Sequence, residues 1–206
     1  LKILVATTNP GKIAELHALL PTGLTLLGLN DFGDIAEVPE TGDTFAENAR
    51  IKALGYAQAT GLLTISDDSG LVIDALGGQP GVKSARFCGL QGPERSVIDK
   101  ANIRKVLELM QDVPQERRTA RFMCCICMAN PQEALIETEG SVEGVISTEE
   151  VGTGGFGYDP IFLIPSLGRS AAQLNNQEKN AISHRGNAIR KFKPLLQQKL
   201  GLSSQK

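Results

Sequence analysis

The sequence lacks the features of several protein classes. It has no internal repeats or low-complexity tracts, and no apolar run approaches the roughly 18 residues that a membrane-spanning helix needs. It has no basic excess either, since 21 Lys and Arg against 23 Asp and Glu give a net charge of −2. We therefore expect neither nucleic acid nor a membrane surface as the main partner. A small anion in a local basic pocket remains compatible with this charge.

Cysteine is also scarce, with four residues in the chain. Three of them lie in the apolar segment RFMCCICMA at residues 121–129. Strand alternation would put Cys124 and Cys125 on opposite faces, which disfavours a zinc cluster and favours small buried hydrophobic side chains. The chain opens directly into a strand-like run, without a secretory signal, and we expect a reducing cytoplasmic location.

Strand-like and helix-like segments alternate along the 206 residues, which suffice for one α/β domain or two closely joined lobes. Thr44 and Glu47 form a T-x-x-E capping box, which predicts a helix over 45–59. The segment LLTIS predicts a strand over 62–66, with a break at 67–70 before the chain resumes as a strand.

Helix-start signals and apolar spacing also predict the later helices and strands. Pro93 is expected to open a helix that runs to about residue 111, with Ile103, Val106 and Met110 on its inner face. Residues 119–129 and 134–139 should form an antiparallel hairpin. A strand near 142–147, a short helix from about 171 and a last helix over 186–200 complete the prediction.

The segment TTNPGK, residues 7–12, allows two interpretations. Asn9 is a good helix N-cap and Pro10 suits the first helical position, which predicts a strand-to-helix turn. The same turn leaves backbone N–H groups at a helix start beside Lys12, as in many anion sites. The Walker A pattern cannot be placed on these residues. The segment alone leaves both interpretations open.

Two consecutive carboxylates follow an apolar strand in DDSGL, residues 67–71. Asp-Ser-Gly is common in turns, so a simple turn is one interpretation. Adjacent Asp67 and Asp68 repel each other, however, and a divalent cation would relieve that repulsion. Because Mg²⁺ prefers carboxylates combined with substrate phosphate oxygens, a metal site is the other interpretation.

Three further segments carry candidate binding groups. In the helix after Glu40, Asn48 and Lys52 are four residues apart and share one face, although solvated surface residues are the default interpretation. In GTGGFGYDPIF, residues 152–162, Phe156 lies between two glycines. An aromatic side chain with so little local packing suits stacking on a flat base, and Asp159 could accept hydrogen bonds from ring N–H groups.

The last segment is EKNAISHRG, residues 178–186, just before the final helix. Lys179 and Arg185 could simply interact with helix ends and solvent. His184 is one of only two histidines and could titrate near neutrality. These residues alone do not separate the structural interpretation from a binding role.

Taken in order, six blocks resemble one family. They are T-x-N-x-G-K (7–12), ETG-x-TF-x-EN-A (40–49), DDSGL (67–71), PG-x-x-SAR (80–86), GTGGFGYDPIF (152–162) and ISHRG (182–186). This order resembles the inosine/xanthosine triphosphate pyrophosphatases, the house-cleaning enzymes that hydrolyse deaminated purine nucleotides. Each block alone is weak, but their order extends the resemblance over nearly the whole chain.

The resemblance implies a fold, a reaction and an assembly. The fold is an elongated central mixed sheet with flanking helices, a single domain over 1–206 whose two lobes enclose a nucleotide cleft. The reaction is Mg²⁺-dependent hydrolysis of dITP, ITP or XTP at the α-phosphate, giving the monophosphate and pyrophosphate. The expected assembly is a homodimer.

The resemblance also implies roles for individual residues. The triphosphate side would comprise Thr7, Thr8, Asn9, Pro10, Gly11, Lys12, Lys52 and Ser69. The metal ligands would be Glu40, Asp67 and Asp68, with Asp68 also the proton acceptor for the attacking water. The base and ribose would be held by Phe156, Gly157, Tyr158, Asp159, Lys179, His184 and Arg185.

Two other functions are compatible with part of this pattern. A nucleotide-binding sensor would bind without turnover, but it would not need the Asp67–Asp68 pair. A pyrophosphatase for modified pyrimidine nucleotides would differ mainly in its base pocket, and residues 156–159 and 184–185 favour a purine. The pyrophosphatase for deaminated purines is therefore the leading hypothesis.

Overall fold

The structure is a computed structural model that describes residues 1–21, 23–33, 35–90, 92 and 94–201. Its strands are β1 (Lys2–Val5), β2 (Thr25–Gly28), β3 (Leu63–Ile73), β4 (Thr119–Ala129), β5 (Ala134–Ile146), β6 (Phe162–Ile164) and β7 (Arg169–Ser170). Its α-helices are α1 (Pro10–Leu19), α2 (Phe45–Thr60), α3 (Arg95–Leu109), α4 (Asn176–Ile182) and α5 (His184–Leu200). In the described ranges, no helix has both the length and the apolar character needed to cross a membrane.

The strands form one seven-stranded sheet in the order β2-β1-β3-β4-β5-β6-β7. Strand β1 runs parallel to β2 and β3, whereas β6 runs antiparallel to β5 and β7. The sheet is therefore mixed, and with its helices it confirms the predicted α/β fold. The short strands β2 and β7 had no predicted counterpart in the sequence.

The first of two compact units comprises residues 1–68, 124–140 and 184–206. Its largest core cluster joins apolar residues of β1, β3 and β4 to those of α1 and α5. A second cluster packs Ala49 and Ala53 of α2 against Cys125 and Cys127 of β4. Helices thus cover both faces of this part of the sheet, which explains why β1 is apolar at consecutive positions.

The second unit comprises residues 69–123 and 141–183 and has one large core cluster. Helix α3 contributes Ile103 and Val106 to it, and Met110 at the C-terminal cap of the helix joins them, as the helical spacing predicted. Strand β6 adds Phe162, whose ring contacts Phe122 of β4 with centroids 4.5 Å apart. The predicted arrangement of two lobes around a cleft stays a prediction.

The capping signals of α1 and α2 gave correct helix starts. Asn9 caps α1 by accepting hydrogen bonds from the backbone N–H groups of Gly11 and Lys12. Thr44 and Glu47 form the predicted capping box of α2. Gly61 ends α2 in the left-handed region at φ +72°, which glycine adopts without steric cost. Each signal lies within a few residues of the boundary that it sets.

The predicted break at residues 67–70 is wrong, because β3 continues from Leu63 to Ile73. Asp67 and Asp68 have cationic partners, so their charges can be accommodated inside a strand. At Gly70 an added Cβ would lie 2.3 Å from the Ser84 Oγ and 2.6 Å from the Gly81 carbonyl. This glycine therefore serves close packing inside a strand.

Other boundaries also differ from the prediction. The strands predicted over 134–139 and 142–147 form the single strand β5, and the last helix begins at His184, not at 186. The short helix predicted from residue 171 is a 3-10 turn at Ala171–Gln173, followed by α4. The predicted start at Pro93 lies outside the described residues, and α3 is described from Arg95.

The three cysteines of β4 are buried, as predicted. Cys124 belongs to the cluster with α1 and α5, whereas Cys125 and Cys127 face α2. Burial raises the pKa of Cys125 to about 11 and that of Cys127 to about 12. Both thiols therefore remain protonated at neutral pH and behave as small apolar side chains.

Candidate active site

The acidic pair of β3 lies at the centre of a buried charged cluster in the first unit. Successive strand residues point to opposite faces, so Asp67 and Asp68 have different neighbours. Asp67 accepts hydrogen bonds from Nε and Nη2 of Arg185 at 3.3 and 2.9 Å. The Lys12 ammonium lies 3.0 Å from the same carboxylate oxygen. Asp67 is therefore a neutralised anion that joins α1 and α5 to the sheet.

Arg185 is almost fully buried, at 1% exposure, and contacts two carboxylates. Besides Asp67, its Nη1 donates to Glu15 of α1. Two cations, Arg185 and Lys12, are thus balanced by Asp67 and Glu15. The motifs had placed Arg185 with the base, but the structure engages its guanidinium with these acidic groups. Its contact with a base stays a prediction.

The TTNPGK segment forms the turn from β1 into α1. Thr7 Oγ1 accepts from the Asn9 N–H at 3.2 Å, while the Asn9 side chain accepts from Gly11 and Lys12. These two N–H groups serve the helix cap, and a phosphate-binding role of this turn stays a prediction. The Lys12 side chain supplies the positive charge. Thr8 is exposed.

Lys52 connects Glu40 to Asp67 and Asp68. Its Nζ lies 2.7 Å from Glu40 Oε1, 2.8 Å from the Asp67 carbonyl oxygen and 3.4 Å from Asp68 Oδ1. Burial opposes the charge of Lys52, but the carboxylates of Asp68, Asp67 and Glu40 outweigh it and raise the pKa of Lys52. Lys52 is therefore a buried, fully charged ammonium.

Asn48, one turn before Lys52, holds the loop that carries Glu40. Its Oδ1 accepts from the Gly42 N–H at 2.8 Å, and its Nδ2 donates to the Gly42 carbonyl at 3.2 Å. Asn48 is fully buried, so these bonds replace its contacts with water. The side chain that the spacing placed beside Lys52 is thus a positioning group for Glu40.

The two aspartates have opposite pKa shifts. Burial opposes ionisation of Asp67, but Lys12, Arg185 and Lys52 outweigh it and hold the pKa of Asp67 below its usual range. Burial raises the pKa of Asp68, and Glu40 and Asp67 add to the rise against the attraction of Lys52 and Lys12. Asp67 is a structural anion, whereas Asp68 has more affinity for a proton.

Asp68 also has unused bonding capacity. Its Oδ2 is buried and accepts no hydrogen bond from the described residues. A buried carboxylate oxygen in this condition is costly unless a proton, a water molecule, a metal ion or a ligand satisfies it. This oxygen is where the cluster can accept a proton or bind a cation.

The predicted metal ligands fit Mg²⁺ in chemistry but do not form a complete site. In the described parts of the chain, no three Asp, Glu, His or Cys side chains are grouped closely enough to hold a metal ion. Glu40 and Asp68 instead contact the Lys52 ammonium. Mg²⁺ commonly uses one or two carboxylates together with substrate phosphates, and these two side chains are of that type.

A second group of predicted residues meets in the second unit. The Lys179 ammonium lies 2.6 Å from Asp159 Oδ2 and 4.4 Å from the centroid of the Phe156 ring. The Phe156 N–H donates to the same Asp159 oxygen at 2.8 Å. A half-buried ring, a cation and a carboxylate thus share one location, where aromatic stacking and hydrogen bonding with a flat heterocycle are possible.

Other predicted residues of the Gly-rich loop have structural contacts. Tyr158 is buried, and its hydroxyl donates to the Ser84 carbonyl at 2.8 Å. The Gly157 N–H donates to Asp99 of α3 at 3.0 Å. Gly155 has φ +72°, and a Cβ there would lie 2.1 Å from Asp159 Oδ2. Gly155 must therefore be glycine for Asp159 to approach the loop.

Two predicted residues have positions but no demonstrated role. His184 is buried and is the first residue of α5, in the first unit. Ser69 follows Asp68 in β3 and is assigned to the second unit. Their predicted contacts with base and phosphate stay predictions.

Three residues that the sequence analysis did not select have clear roles in these groups. Glu15 pairs with Arg185, Asp99 binds the Gly157 N–H, and Gly140 of β5 lies against α5. Each partner is at least 44 positions away in the sequence. No capping pattern or periodicity signals such a contact, so only the folded chain could reveal it.

Gly140→Ala should disturb the start of α5. An added Cβ would lie 2.3 Å from both the His184 carbonyl oxygen and the Ala188 nitrogen, backbone atoms that cannot rotate away. We expect the free energy of unfolding to fall by about 1–3 kcal/mol. We also expect lower activity, because Arg185 lies in the displaced turn.

Denaturant unfolding and steady-state kinetics would measure both effects. Gly28→Ala is the matched control, since its Cβ would meet only Asp31 Oδ2 at 3.9 Å and its φ is −95°. Equal stability of the two variants would contradict the close packing of β5 against α5.

The comparisons with known proteins agree with this fold. The sequence model of the Ham1 family matches residues 3–195. A dITP/XTP pyrophosphatase of Desulforamulus reducens is 48% identical over 197 residues, covering 95% of this chain and 96% of the relative. The dITP/XTP pyrophosphatase of Escherichia coli K12 is 48% identical over 193 residues, covering 92% and 94%.

Two solved structures also resemble this chain over nearly its whole length. A HAM1 protein from Coxiella burnetii superposes with a TM-score of 0.85 at 41% identity, covering 96% of this chain and 99% of that one. The nucleoside-triphosphatase / dITP/XTP pyrophosphatase of Mycobacterium abscessus gives 0.76 at 44% identity, covering 94% and 100%.

The mixed sheet and its carboxylate–lysine cluster define an α/β protein with a buried, charge-balanced polar centre. With matches over nearly its whole length, the chain belongs to the Ham1 family. The resemblance inferred from the six sequence blocks is thereby confirmed.

Proposed function

We propose that the chain hydrolyses deaminated purine nucleoside triphosphates, namely dITP, ITP and XTP, to the monophosphate and pyrophosphate. Its relatives at 48% identity are named dITP/XTP pyrophosphatases and are matched over more than nine-tenths of their length. Such an activity removes deaminated nucleotides from the nucleotide pool. Magnesium dependence belongs to the same proposal.

The observation that carries the proposal is the difference between the two adjacent aspartates. Asp67 is neutralised by Arg185 and Lys12, whereas Asp68 has a raised pKa and a buried oxygen that accepts no hydrogen bond from the described residues. Two like groups with pKa values shifted in opposite directions are typical of a site that separates structural from acid–base roles.

Asp68 would act as the general base. Its carboxylate would take a proton from the attacking water, the water oxygen would bond to the α-phosphorus, and the bond from this phosphorus to the bridging oxygen would break. Pyrophosphate leaves with that oxygen, and the proton later passes from Asp68 to solvent. This route needs no covalent intermediate with the enzyme.

Lys12 and Lys52 would stabilise the charge of the triphosphate. Each ammonium contacts a carboxylate in the structure, so phosphate oxygens would exchange with those contacts on binding. Lys12 can leave Asp67 at little cost, because Arg185 continues to neutralise that carboxylate. Fixed cations of this kind stabilise negative charge as it develops on the transferred group.

Mg²⁺, when bound, would neutralise phosphate charge and polarise the phosphorus. Glu40 and Asp68 are the side chains that would hold it, with phosphate oxygens completing the coordination. The predicted third ligand, Asp67, already contacts Arg185 and Lys12 and is better suited to support the site electrostatically.

Base recognition would use the group around Phe156. The ring would stack on the purine, while Lys179 could donate to an O6 keto oxygen and Asp159 could accept from a ring N–H. Adenine carries a 6-amino donor at the keto position, so it would leave these polar groups unpaired. A site built on such bonds rejects the wrong base strongly.

A product-resolved substrate panel tests the proposal. Purified protein with Mg²⁺ is incubated with dITP, XTP, ATP and GTP, and pyrophosphate and orthophosphate are measured separately. We expect pyrophosphate from dITP and XTP at a rate at least about 100-fold above ATP, and loss of activity on chelation. Orthophosphate as the product, or no preference over ATP, would contradict the proposal. Tight binding of dITP without product would favour the nucleotide sensor instead.

Assembly as a homodimer and a cytoplasmic location also belong to the proposal. The homodimer follows from the motif resemblance, whereas the location rests on the free, buried cysteines of β4. Light scattering of the purified chain measures the first, and a monomer at assay concentration would refute it.

A further inference from the structure

The Gly-rich loop that carries Phe156 is held by a carboxylate from another element. Asp99 of α3 accepts a hydrogen bond from the Gly157 N–H at 3.0 Å, and its side chain is only 14% exposed. The two residues are 58 positions apart in the sequence. None of the motifs in the sequence includes Asp99.

The loop depends on such contacts because its own residues provide little packing. Gly152, Gly155 and Gly157 all have positive φ, and glycine is the residue that loses most conformational freedom on folding. Phe156 is only half-buried. Apart from the Lys179 ammonium, 4.4 Å from its ring centroid, its position therefore depends on the contacts of the residues beside it.

Three hydrogen bonds fix that position. The Phe156 N–H donates to Asp159, the Gly157 N–H to Asp99, and the Tyr158 hydroxyl to the Ser84 carbonyl. Asp159 also contacts Lys179 and belongs to the group proposed to recognise the base. Asp99 alone among these acceptors belongs to a long helix outside the loop and has no part in the proposed reaction.

We propose that Asp99 is a positioning residue for base recognition, which fixes the Gly157 backbone and so holds the Phe156 ring where a purine can stack on it. This inference rests on the proposed function. A carboxylate acceptor is suited to the role, because charge-assisted hydrogen bonds are shorter and stronger than neutral ones.

We expect Asp99 to position the Gly-rich loop and not to stabilise α3. That helix is held by Ile103, Val106 and Met110 in the core. Asn102 also fixes it, since its Oδ1 accepts from the Cys88 N–H at 2.7 Å. Loss of the Asp99 carboxylate should therefore leave α3 in place and release the Gly157 backbone.

Kinetics with dITP give the first test. Asp99→Ala should raise KM about tenfold and change kcat much less, because base stacking would be lost while the charged cluster stays intact. Asp99→Asn keeps an oxygen acceptor and should restore most of the affinity. Arg95→Ala is the matched control: the Arg95 side chain is 50% exposed, so its ion pair with Asp99 at 2.9 Å should contribute little.

A second readout does not depend on turnover. The chain has no tryptophan, so Phe156→Trp places a single fluorophore in the loop. In that background, Asp99→Ala should lower the fluorescence anisotropy and increase acrylamide quenching, whereas Asp99→Asn and Arg95→Ala should not. Thermal unfolding by circular dichroism shows whether each variant is folded.

The outcomes separate this inference from the proposed function. If Asp99→Ala leaves both KM and the tryptophan signal unchanged, or if Asp99→Asn is as impaired as Asp99→Ala, the positioning role is wrong. A fall in melting temperature without a change in KM would also overturn it. If the wild-type chain releases no pyrophosphate from dITP, the proposed function is wrong. The fluorescence measurements on the Phe156→Trp variants still test the contact of Asp99 with the loop.

Discussion

Asp68→Asn is expected to lower kcat for dITP at least about 100-fold, the usual contribution of a general base. The substitution keeps the size of the side chain but removes the group that would accept the proton of the attacking water. The folded chain should remain stable, within about 1 kcal/mol of the wild type. The raised pKa of Asp68 shows that its surroundings disfavour the charge that Asn removes.

Lys52 should also keep its place in this variant. Its ammonium still contacts Glu40 at 2.7 Å and the Asp67 carbonyl at 2.8 Å. Single-turnover kinetics and denaturant unfolding measure the two effects separately. Asp112→Asn, at an exposed acidic position, is the control. Wild-type turnover in Asp68→Asn would show that another group accepts the proton.

Asp67→Asn is expected to have the largest effect on stability. It removes the carboxylate charge that both Lys12 and Arg185 contact, and Arg185, which is 1% exposed, keeps its ion pair with Glu15. Removing one partner of a buried ion pair typically costs about 3–5 kcal/mol of unfolding free energy. Denaturant unfolding at neutral pH would measure it.

The double variant Asp67→Asn with Arg185→Met is the control for this interpretation. It removes the buried cation together with its partner, so the loss should be smaller than the sum of the two single losses. Strict additivity would show that the two side chains do not stabilise each other.

The pH dependence of the unfolding free energy tests the ion pairs of Asp67 in the wild-type chain. The pKa of Asp67 is lowered in the folded chain from the ordinary value of 3.8. Its ion pairs therefore contribute fully above pH 3.8, and the contribution decreases as the pH falls below that value. Asp67→Asn should show a flatter stability profile in this acid range, and an unchanged profile would contradict the ion pairing.

The parts of the fold that the sequence predicted well are those set by neighbouring residues. Asn9 and the Thr44–Glu47 capping box lie at the helix starts that they determine, so their patterns were sufficient. The apolar face of α3 follows from helical spacing in the same way. The candidate site residues came mainly from motif order, which placed Asp68, Lys52 and Phe156 without describing their contacts.

The features that could not be predicted depend on contacts between residues that are far apart in the sequence. Strand β3 is continuous because Arg185, 118 positions later, neutralises Asp67, and no local pattern signals that pair. From the local sequence alone, the two adjacent carboxylates predicted a break in the strand at residues 67–70. Likewise, a Gly-rich loop suggests a binding site, but the carboxylate of Asp99 that holds it comes from a separate helix.

The most direct test of the account is hydrolysis of dITP in ¹⁸O-labelled water, followed by mass spectrometry of both products. Attack of water on the α-phosphorus, with Asp68 as base, places the label in the monophosphate and leaves the pyrophosphate unlabelled. Label in the pyrophosphate would mean attack at the β-phosphorus and would contradict the proposed arrangement of the reaction around Asp68.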